Sequence, residues 1–240
     1  MKSILLTGSR GFIASGLDLK ADGMDLKNEP YDPQQDVIAY EAVKNYDVVI
    51  HTAALTSVTE SMEKPYDYIW TNVIGTMNML KQNPEAYFIY LSTCAVYGEG
   101  MGHTLNSRLK PDSVYATTKL SGEFLVKNLA KSWCILRLTN VIGPGERGEP
   151  NVYQVFEKEE TLPIYGDGLQ TRDFIHVDSV RAVIKRAVEH EWSGTYNIGS
   201  GKAKTVLEVA KEFNKPMKFL PERPGEIKHF GISDAVNNFT

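Results

Sequence analysis

The chain has few cysteines, no block of basic residues and no long apolar run, and each lack excludes a class of protein. Its two cysteines, Cys94 and Cys134, stand apart without CxxC or histidine spacing. We therefore interpret them as small buried hydrophobic residues and expect neither a disulfide nor a metal. The formal net charge is −4 and the basic residues are scattered, which argues against binding to nucleic acid. No apolar run approaches the roughly 20 residues of a membrane span, and a strand pattern begins at once, so we expect a cytoplasmic protein without a membrane segment or signal peptide.

What the sequence does have is an alternation of strand and helix patterns. With 240 residues, of which 42% are hydrophobic, the chain can bury one α/β core and a small second lobe. Such alternation predicts a doubly wound parallel sheet whose ligand cleft lies beyond the carboxyl ends of its strands. Strand patterns lie at Lys2–Thr7, Asp47–Ala54, Ala86–Thr93 and Trp133–Thr139, and helical patterns at Ser57–Leu80, Val114–Lys131 and from Asp178 or Ser179 to about His190.

The first strand pattern ends in a glycine turn that contains Gly8 and Gly11. Gly8 can adopt the positive φ of a tight turn, Gly11 lets the backbone approach a pyrophosphate, and a following helix would offer N–H groups and a positive dipole end. Ala14, where a third glycine is usual, is small enough to keep that helix close to the strand. We interpret the turn as the phosphate cradle of a dinucleotide site. The alternative is an ordinary strand-turn-helix connection.

An acidic residue near the end of the second strand should hold the adenosine ribose, usually about 20 residues beyond the glycine turn. Asp25 is our candidate, and it favours NAD over NADP because a carboxylate accepts hydrogen bonds from ribose hydroxyls and repels a 2′-phosphate. Arg10, inside the turn, could instead bind that phosphate. Asp18 and Asp22 are the competing candidates if the register of the second strand differs.

Tyr115 and Lys119 lie four residues apart in a helical pattern, so they share one face of the helix. A cation close to a tyrosine lowers the phenol pKa from about 10 toward neutrality, where the group can take a proton from a sugar hydroxyl. Thr93 ends the strand just upstream and carries a hydroxyl. The alternative is a tyrosine and a lysine that are merely neighbours on the surface.

The strand pattern Asp47–Ala54 ends in the small residues Thr52, Ala53 and Ala54. A flat cofactor could lie against them.

Seven motifs in chain order carry a resemblance to a known family. Thr7–Ala14 is similar to TGxxGFIG, His51–Ala54 to HxAA, Thr71–Thr76 to TNVxGT, Ser92–Gly98 to SSxxVYG, Tyr115–Lys119 to YxxSK, Leu136–Pro144 to LRxxNVxGP and Gly166–Val177 to GdGxqxRDFxxV. Together they resemble the NAD-dependent epimerase/dehydratase family of the extended short-chain dehydrogenases/reductases. The resemblance implies an α/β fold, a doubly wound parallel Rossmann sheet with a small C-terminal substrate-binding lobe. We predict the Rossmann domain at 1–140 plus 171–190 and the reduced lobe at 141–170 plus 191–240.

The resemblance also implies a role for individual positions. Tyr115 would be the acid/base, Lys119 would bind the nicotinamide ribose and tune Tyr115, and Thr93 would hydrogen-bond the reacting hydroxyl. Arg172 and Arg223 would hold a substrate diphosphate, since a planar guanidinium grips phosphate oxygens bidentately; for each, a surface or salt-bridged arginine is the alternative. Asn140 and Glu226 complete the expected nucleotide-sugar contacts. The expected cofactor contacts, besides Tyr115 and Lys119, are Gly8, Gly11, Phe12, Ile13, Asp25, Leu26, Asp36, Val37, Thr52, Ala53, Ala54 and Asn72.

For the activity, the resemblance implies an NAD-dependent nucleotide-sugar epimerase that acts at C4 through a transient 4-keto sugar. Dehydratases and decarboxylases of the family carry acidic residues just after the hydroxyl residue, where this chain has Cys94 and Ala95, and a neutral pair cannot protonate a leaving hydroxyl. A reductase of nucleotide 4-keto sugars and a non-catalytic dinucleotide sensor are the alternatives. The resemblance also implies a homodimer, because family members commonly pack the helices that correspond to Ser57–Leu80 and to the helix with Tyr115 against a partner subunit.

Two departures from the family pattern predict a reduced protein. Only about ten residues separate Asp25 from Asp36, too few for a strand-helix-strand passage of usual length, so we expect a helix to be missing there. The terminal helix usual in the family is also absent from the sequence, which predicts a minimal substrate lobe.

Overall fold

The computed structural model describes residues 2–26, 32–145, 150–222 and 227–236. Its strands are β1 Ile4–Thr7, β2 Asp22–Met24, β3 Val48–His51, β4 Tyr87–Thr93, β5 Gly100–His103, β6 Ser132–Leu138, β7 Asn140–Ile142, β8 Leu162–Tyr165, β9 Thr171–His176, β10 Gly194–Ile198, β11 Ala203–Thr205, β12 Met217–Leu220 and β13 Phe230–Ile232. Its α-helices are α1 Val58–Glu63, α2 Pro65–Ile69, α3 Gly75–Gln82, α4 Val114–Leu129, α5 Val152–Lys158, α6 Val177–His190 and α7 Val206–Glu212.

The central sheet confirms the predicted doubly wound architecture. Over the described residues it has six strands in the order β10-β6-β4-β3-β1-β2, and every neighbouring pair is parallel. The order reverses at β1, which lies between β2 and β3. Because Thr7 pairs with His51 and His51 with Tyr90, the ends of β1 and β3 lie together at one edge. Ligands of such sheets bind outside this edge.

Helices cover both faces of the sheet, which explains why its strands are apolar throughout rather than alternating. On one face, Leu6 and Ile50 belong to the core formed with α6. On the other face, Leu5 and Val49 pack in a core with Met79 of α3 and residues of α4. Successive residues of one strand therefore point into different cores, as the twofold alternation of a strand requires.

The prediction of a helix directly after the glycine turn is wrong. Only one 3₁₀ turn forms there, Ala14–Gly16, and the chain enters β2 six residues later. The connection that follows contains a 3₁₀ turn at Pro33–Gln35 and no α-helix within residues 32–47, in agreement with the helix expected to be missing. The described sheet accordingly ends at β2, where a sheet of this type ordinarily adds a further strand.

The predicted Ser57–Leu80 helix is broken into segments. Lys64, with φ −123° and ψ 55°, leaves the helical region directly before Pro65, because proline excludes the α conformation from the residue before it. A π-helical segment, Trp70–Ile74, then joins α2 to α3.

The predicted N-cap of α6 is also wrong. His176, rather than Asp178 or Ser179, is the N-cap, and its ring accepts a hydrogen bond from the backbone amide of Asp178.

Beyond the sheet, α5, β8, α7 and β12 build a second apolar core around Phe156, Leu162 and Val209. β8 and β12 form a parallel pair, and β7, β9 and β11 form a small sheet. This separate core agrees with a small lobe, while the exact division into domains stays a prediction. Within the described ranges, no helix combines the length and the apolar character needed to cross a bilayer.

Candidate active site

Helix α4 brings Tyr115 and Lys119 to the carboxyl end of β4. The hydroxyl of Ser113 accepts a hydrogen bond from the Ala116 amide at 3.1 Å, so the helix begins one residue before Tyr115. It packs against β4 and against the 3₁₀ turn that follows β4. Tyr115 is half-buried, whereas Lys119 is only 3% exposed. Tyr115 is therefore the more accessible of the two side chains, and Lys119 is the buried one.

The buried lysine rests on an aromatic ring that the sequence analysis did not single out. The ammonium of Lys119 is 4.2 Å from the centroid of the Tyr90 ring, an arrangement that stabilises a cation. Burial nevertheless lowers the pKa of Lys119 to about 7, while the carboxylate of Glu123 acts in the opposite direction. No carboxylate of the described residues forms a salt bridge with it. A buried ammonium of this kind fits a ligand that offers hydroxyl acceptors, such as the ribose of a nucleotide.

Tyr90 links the members of the site. Burial raises its pKa, and the carboxylate of Glu123 raises it further. A Cβ on Gly122 would overlap the Tyr90 hydroxyl, which means that a glycine there lets α4 approach β4 closely. The glycine one turn after Lys119 was the only sign of this contact in the sequence.

Thr93 is the last residue of β4 and lies at the same edge as the start of α4. Its hydroxyl accepts from the Ala95 amide at 3.1 Å, and its side chain is half-buried. Cys94 turns into the core instead, where its thiol donates to the Arg137 carbonyl at 3.2 Å. Burial raises the pKa of Cys94, so the residue after Thr93 supplies no acid to the cleft.

The glycine turn has the conformation that the sequence predicts for a phosphate cradle. Gly8 has φ +65°, and a Cβ there would lie 2.8 Å from both the Ala53 amide nitrogen and the Thr52 hydroxyl. The Gly11 amide donates to the Gly8 carbonyl at 2.9 Å. A tight turn with glycine at both ends thus packs closely against the small residues after β3. This conformation is the one expected of a turn whose backbone amides bind the pyrophosphate of a dinucleotide.

Asp25 lies directly against this turn. Its Oδ2 accepts from the Arg10 amide at 2.8 Å, which places a carboxylate at the end of β2 beside the phosphate cradle. The two competing candidates have other partners: Asp18 lies 3.5 Å from Lys185, and Asp22 lies 2.6 Å from Lys44. The structure therefore favours Asp25 for the ribose, although its contact with cofactor stays a prediction.

His51, between the glycine turn and the helices, is a neutral buried histidine. The Thr76 hydroxyl donates to the Asn72 carbonyl at 2.7 Å and must therefore accept from His51 Nε2 at 3.0 Å. Nδ1 is then left to accept from the Thr7 hydroxyl at 2.8 Å, and we assign the tautomer from this network. Burial lowers the pKa of His51 to about 3. The Thr7 hydroxyl also accepts from the Ala53 amide, which fixes the loop after β3.

Asn72 connects that loop to the catalytic helix. Its amide oxygen accepts from the Leu55 amide at 2.9 Å, and its amide nitrogen donates to the Leu55 carbonyl at 2.9 Å and to the Thr118 hydroxyl at 3.1 Å. The Thr118 hydroxyl in turn donates to the carbonyl of Tyr115. Both amide protons are thus used inside the protein, so Asn72 holds the loop, and its expected cofactor contact stays a prediction.

The remaining expected cofactor positions differ in exposure. Val37 is 4% exposed and packs against Gly75, so its side chain belongs to the core. Asp36 accepts from the Ile38 amide at 2.9 Å, and Leu26 is 51% exposed. Contacts of these residues with an adenine stay predictions.

Two expected substrate residues lie on the small sheet beyond the cleft. Asn140 begins β7 and donates to the Asp173 carbonyl at 3.3 Å. Arg172 lies on the neighbouring β9, where its guanidinium donates to the Thr171 carbonyl at 2.8 Å. Their contacts with substrate stay predictions. Arg223 and Glu226 lie outside the described residues.

A buried ion pair, also absent from the sequence analysis, holds α4 against the sheet. Glu123 and Arg137 have side chains that are 1% and 4% exposed, with 2.7 Å between the carboxylate Oε2 and Nη2. Arg137 Nε donates to the other carboxylate oxygen at 2.9 Å, and the Ser92 hydroxyl donates to it at 2.6 Å. Because Tyr115, Lys119 and Glu123 are spaced by four residues, this pair fixes the rotation of the helix face that carries Tyr115 and Lys119.

A glycine turn at the end of β1, an acidic residue beside it and a helix with tyrosine and lysine four residues apart form the arrangement typical of the short-chain dehydrogenase/reductase class. Residues 24–199 match the NAD dependent epimerase/dehydratase family. The chain belongs to this family, and the resemblance seen in the sequence is confirmed. NAD is the family's cofactor, and the turn and the buried ammonium both fit it.

Among the relatives, the chain is 31% identical over 220 residues to UDP-glucose 4-epimerase of Pasteurella multocida. The alignment covers 75% of this chain and 65% of that protein. It is 27% identical over 290 residues to a trifunctional UDP-glucose 4,6-dehydratase/UDP-4-keto-6-deoxy-D-glucose 3,5-epimerase/UDP-4-keto-L-rhamnose-reductase of Arabidopsis thaliana, with 97% of this chain and 43% of that protein covered. The chain thus spans less than half the length of the plant relative. That alignment is longer than the chain itself, so the relative contains segments that this chain lacks.

A solved structure confirms the fold. The UDP-N-acetylglucosamine 4-epimerase from Methanobrevibacter ruminantium M1, in complex with UDP-N-acetylmuramic acid, superposes with a TM-score of 0.83 at 27% sequence identity. The superposition covers 98% of this chain and 90% of that one. The two chains therefore share their overall architecture.

Proposed function

We propose that the protein is an NAD-dependent nucleotide-sugar epimerase that acts at C4 of the sugar, an isomerase. The observation that carries the proposal is the buried ammonium of Lys119 on the ring of Tyr90, with Tyr115 one helical turn away and the glycine turn at the same sheet edge. The nucleotide sugars bound by relatives support this class of substrate.

In the proposed mechanism, Tyr115 removes a proton from the C4 hydroxyl and later returns it to the oxygen of the 4-keto sugar. Lys119 favours the phenolate and holds the nicotinamide ribose, while the Thr93 hydroxyl orients the reacting oxygen. Bound NAD would supply reversible hydride acceptance. Arg172, together with Arg223, would grip the diphosphate so that the sugar can turn over while its nucleotide stays in place.

The surroundings of Thr93 support epimerase over dehydratase. Elimination of a hydroxyl needs an acid close to the leaving group, but the Cys94 thiol is buried and bonded to Arg137, and Ala95 has no titratable group. A 4-keto-sugar reductase would use the same residues, and it differs in consuming the reduced nicotinamide.

The decisive experiment incubates the protein with UDP-, GDP-, CDP- and dTDP-sugars and reads the sugar configuration by NMR, while absorbance follows the reduced nicotinamide. An epimerase gives the C4 epimer with no net change in absorbance. Steady oxidation of added NADH or NADPH on a 4-keto sugar would establish the reductase instead.

The same assay tests the acid/base. Tyr115→Phe should abolish turnover while NAD binding, measured by calorimetry, is retained, because only the proton-transferring oxygen is removed. Thr117→Val is a matched control on the exposed face of the same helix and should keep full activity. Undiminished turnover by Tyr115→Phe would remove Tyr115 from the mechanism.

We further propose that the protein is a homodimer. Large apolar side chains on the outer face of α1, α2, the π-helical segment, α3 and α4 are exposed: Met62, Tyr66, Ile69, Trp70, Met77 and Phe124. Two copies of this chain could cover them, as extended apolar patches on a protein surface usually mark an interface. Light scattering tests the proposal, and a monomer at working concentration would refute it.

The cytoplasmic location stays a proposal that cell fractionation tests.

A further inference from the structure

The segment after the glycine turn has two backbone carbonyls, those of Phe12 and Ile13, that bond to a side chain of another helix. In a continuing α-helix, the carbonyls of Phe12 and Ile13 would accept from the amides of residues 16 and 17. Here the amide of Leu17 bonds instead to the carbonyl of Ala14 at 2.9 Å, and Leu17 itself is extended, with φ −81° and ψ 99°. The helical ladder therefore stops after one turn, directly behind the phosphate cradle.

Arg181 of α6 donates to both carbonyls. Its Nε lies 3.0 Å from the Ile13 oxygen and its Nη2 lies 3.0 Å from the Phe12 oxygen. Its Nη1 donates to Asp178 at 2.8 Å, which holds the guanidinium in place. The arginine side chain is 16% exposed, so these bonds are formed largely out of water, where they are stronger.

Gly16 makes room for this contact. A Cβ on Gly16 would overlap the guanidinium of Arg181 at its carbon and at both terminal nitrogens. Any larger residue would have to push the arginine off the two carbonyls. The glycine and the arginine, 165 positions apart in the sequence, therefore form one fitted contact.

We infer that Arg181 is a positioning residue for the cofactor. From α6 it fixes the backbone at Phe12 and Ile13, and so the phosphate-binding turn between Gly8 and Gly11, which a full first helix would otherwise hold. The inference needs only NAD binding, so it stands or fails independently of the sugar reaction.

Calorimetry of the nucleotide-free protein with NAD, ADP and adenosine tests the inference. Arg181→Met should raise the Kd for NAD and for ADP roughly tenfold, about 1.4 kcal/mol, because both ligands carry the pyrophosphate that the turn would hold. The Kd for adenosine, which has no phosphate, should stay within about twofold. Lys185→Met, which removes a charge one turn further along α6 without touching the two carbonyls, is the matched control and should leave all three Kd values unchanged.

A purely structural role would weaken all three ligands alike or none of them, and either outcome would overturn the inference. Arg181→Lys keeps the charge but can reach only one carbonyl at a time, so its Kd for NAD should fall between wild type and Arg181→Met. This milder variant answers the question if Arg181→Met does not fold.

A second measurement tests whether Gly16 and Arg181 act through one contact. Gly16→Ala alone should raise the Kd for NAD as Arg181→Met does, because the new methyl group displaces the guanidinium. Added to Arg181→Met, it should cause no further rise, since no guanidinium is left to displace. Two losses that multiply independently would contradict the coupling and, with it, the positioning role.

Discussion

Replacing Arg137 by methionine tests the buried ion pair that holds the catalytic helix. Methionine fills a similar volume, so the main change is the loss of the guanidinium. Glu123 would keep the Ser92 hydroxyl at 2.6 Å, but it would lose both hydrogen bonds to Arg137, at 2.9 and 2.7 Å. Lys127, 3.6 Å away and 35% exposed, is too solvated to replace a bidentate partner.

The size of the effect follows from burial. Glu123 and Arg137 are both buried, so Arg137→Met leaves a carboxylate in the core without its counter-ion. Removing one partner of such a pair costs about 3–5 kcal/mol. Burial lowers the pKa of Arg137, but the hydrogen bonds and charge of Glu123 outweigh it and raise the pKa above its ordinary value. We therefore expect the arginine to stay charged at every pH at which the protein is folded.

Urea unfolding followed by circular dichroism measures the free energy of unfolding. Arg137→Met should lower it by about 3–5 kcal/mol, whereas Arg108→Met, at an exposed position, should change it by no more than about 0.5 kcal/mol. The double variant Glu123→Met, Arg137→Met removes both charges, so it should recover most of the loss. A loss below about 1 kcal/mol in Arg137→Met would refute the reasoning, because it would mean that the carboxylate finds water or another partner.

Three further perturbations test the site. Lys119→Met should remove a pH dependence of stability, because burial lowers the pKa of Lys119 to about 7 against about 10.4 in the unfolded chain. Between these two pH values the unfolded state binds more protons, so the free energy of unfolding of the wild type should rise with pH relative to that of the variant. Parallel curves of unfolding free energy against pH would contradict this. The ring signals of His51, whose pKa burial lowers to about 3, should not titrate between about pH 5 and 8 in NMR spectra, and a midpoint near 6.5 would show that the ring is solvated. Gly8→Ala should lose NAD binding in calorimetry and also lower the unfolding midpoint. The control Gly102→Ala has a similar φ of +71° and open space around it, so it should show only the loss of stability of about 1–2 kcal/mol that a positive φ costs an alanine. Equal NAD affinity of the two variants would mean that the close packing around Gly8 does not matter for the cofactor.

Local patterns in the sequence were enough to predict the parallel sheet, the glycine turn and the helix with Tyr115 and Lys119. Each of these depends on residues close together in the chain: an apolar run for a buried strand, a positive φ for Gly8, and a spacing of four on one helix face. The break of the long helix before Pro65 also has a local cause, because proline acts on the residue directly before it. The length of the passage between Asp25 and Asp36 alone predicts a missing helix, and residues 32–47 of the structure contain no α-helix.

Tertiary structure alone decided which distant residues complete the site. The ring of Tyr90 under Lys119, the partner of Glu123 on β6 and the arginine of α6 behind the phosphate turn are each brought into place by sheet register and helix packing, which no local periodicity records. The same holds for the reduction of the first helix to one turn, since its sequence is compatible with a longer helix. A sequence determines where a chain can turn, bury and expose its residues, but contacts between distant side chains exist only once the layers have packed.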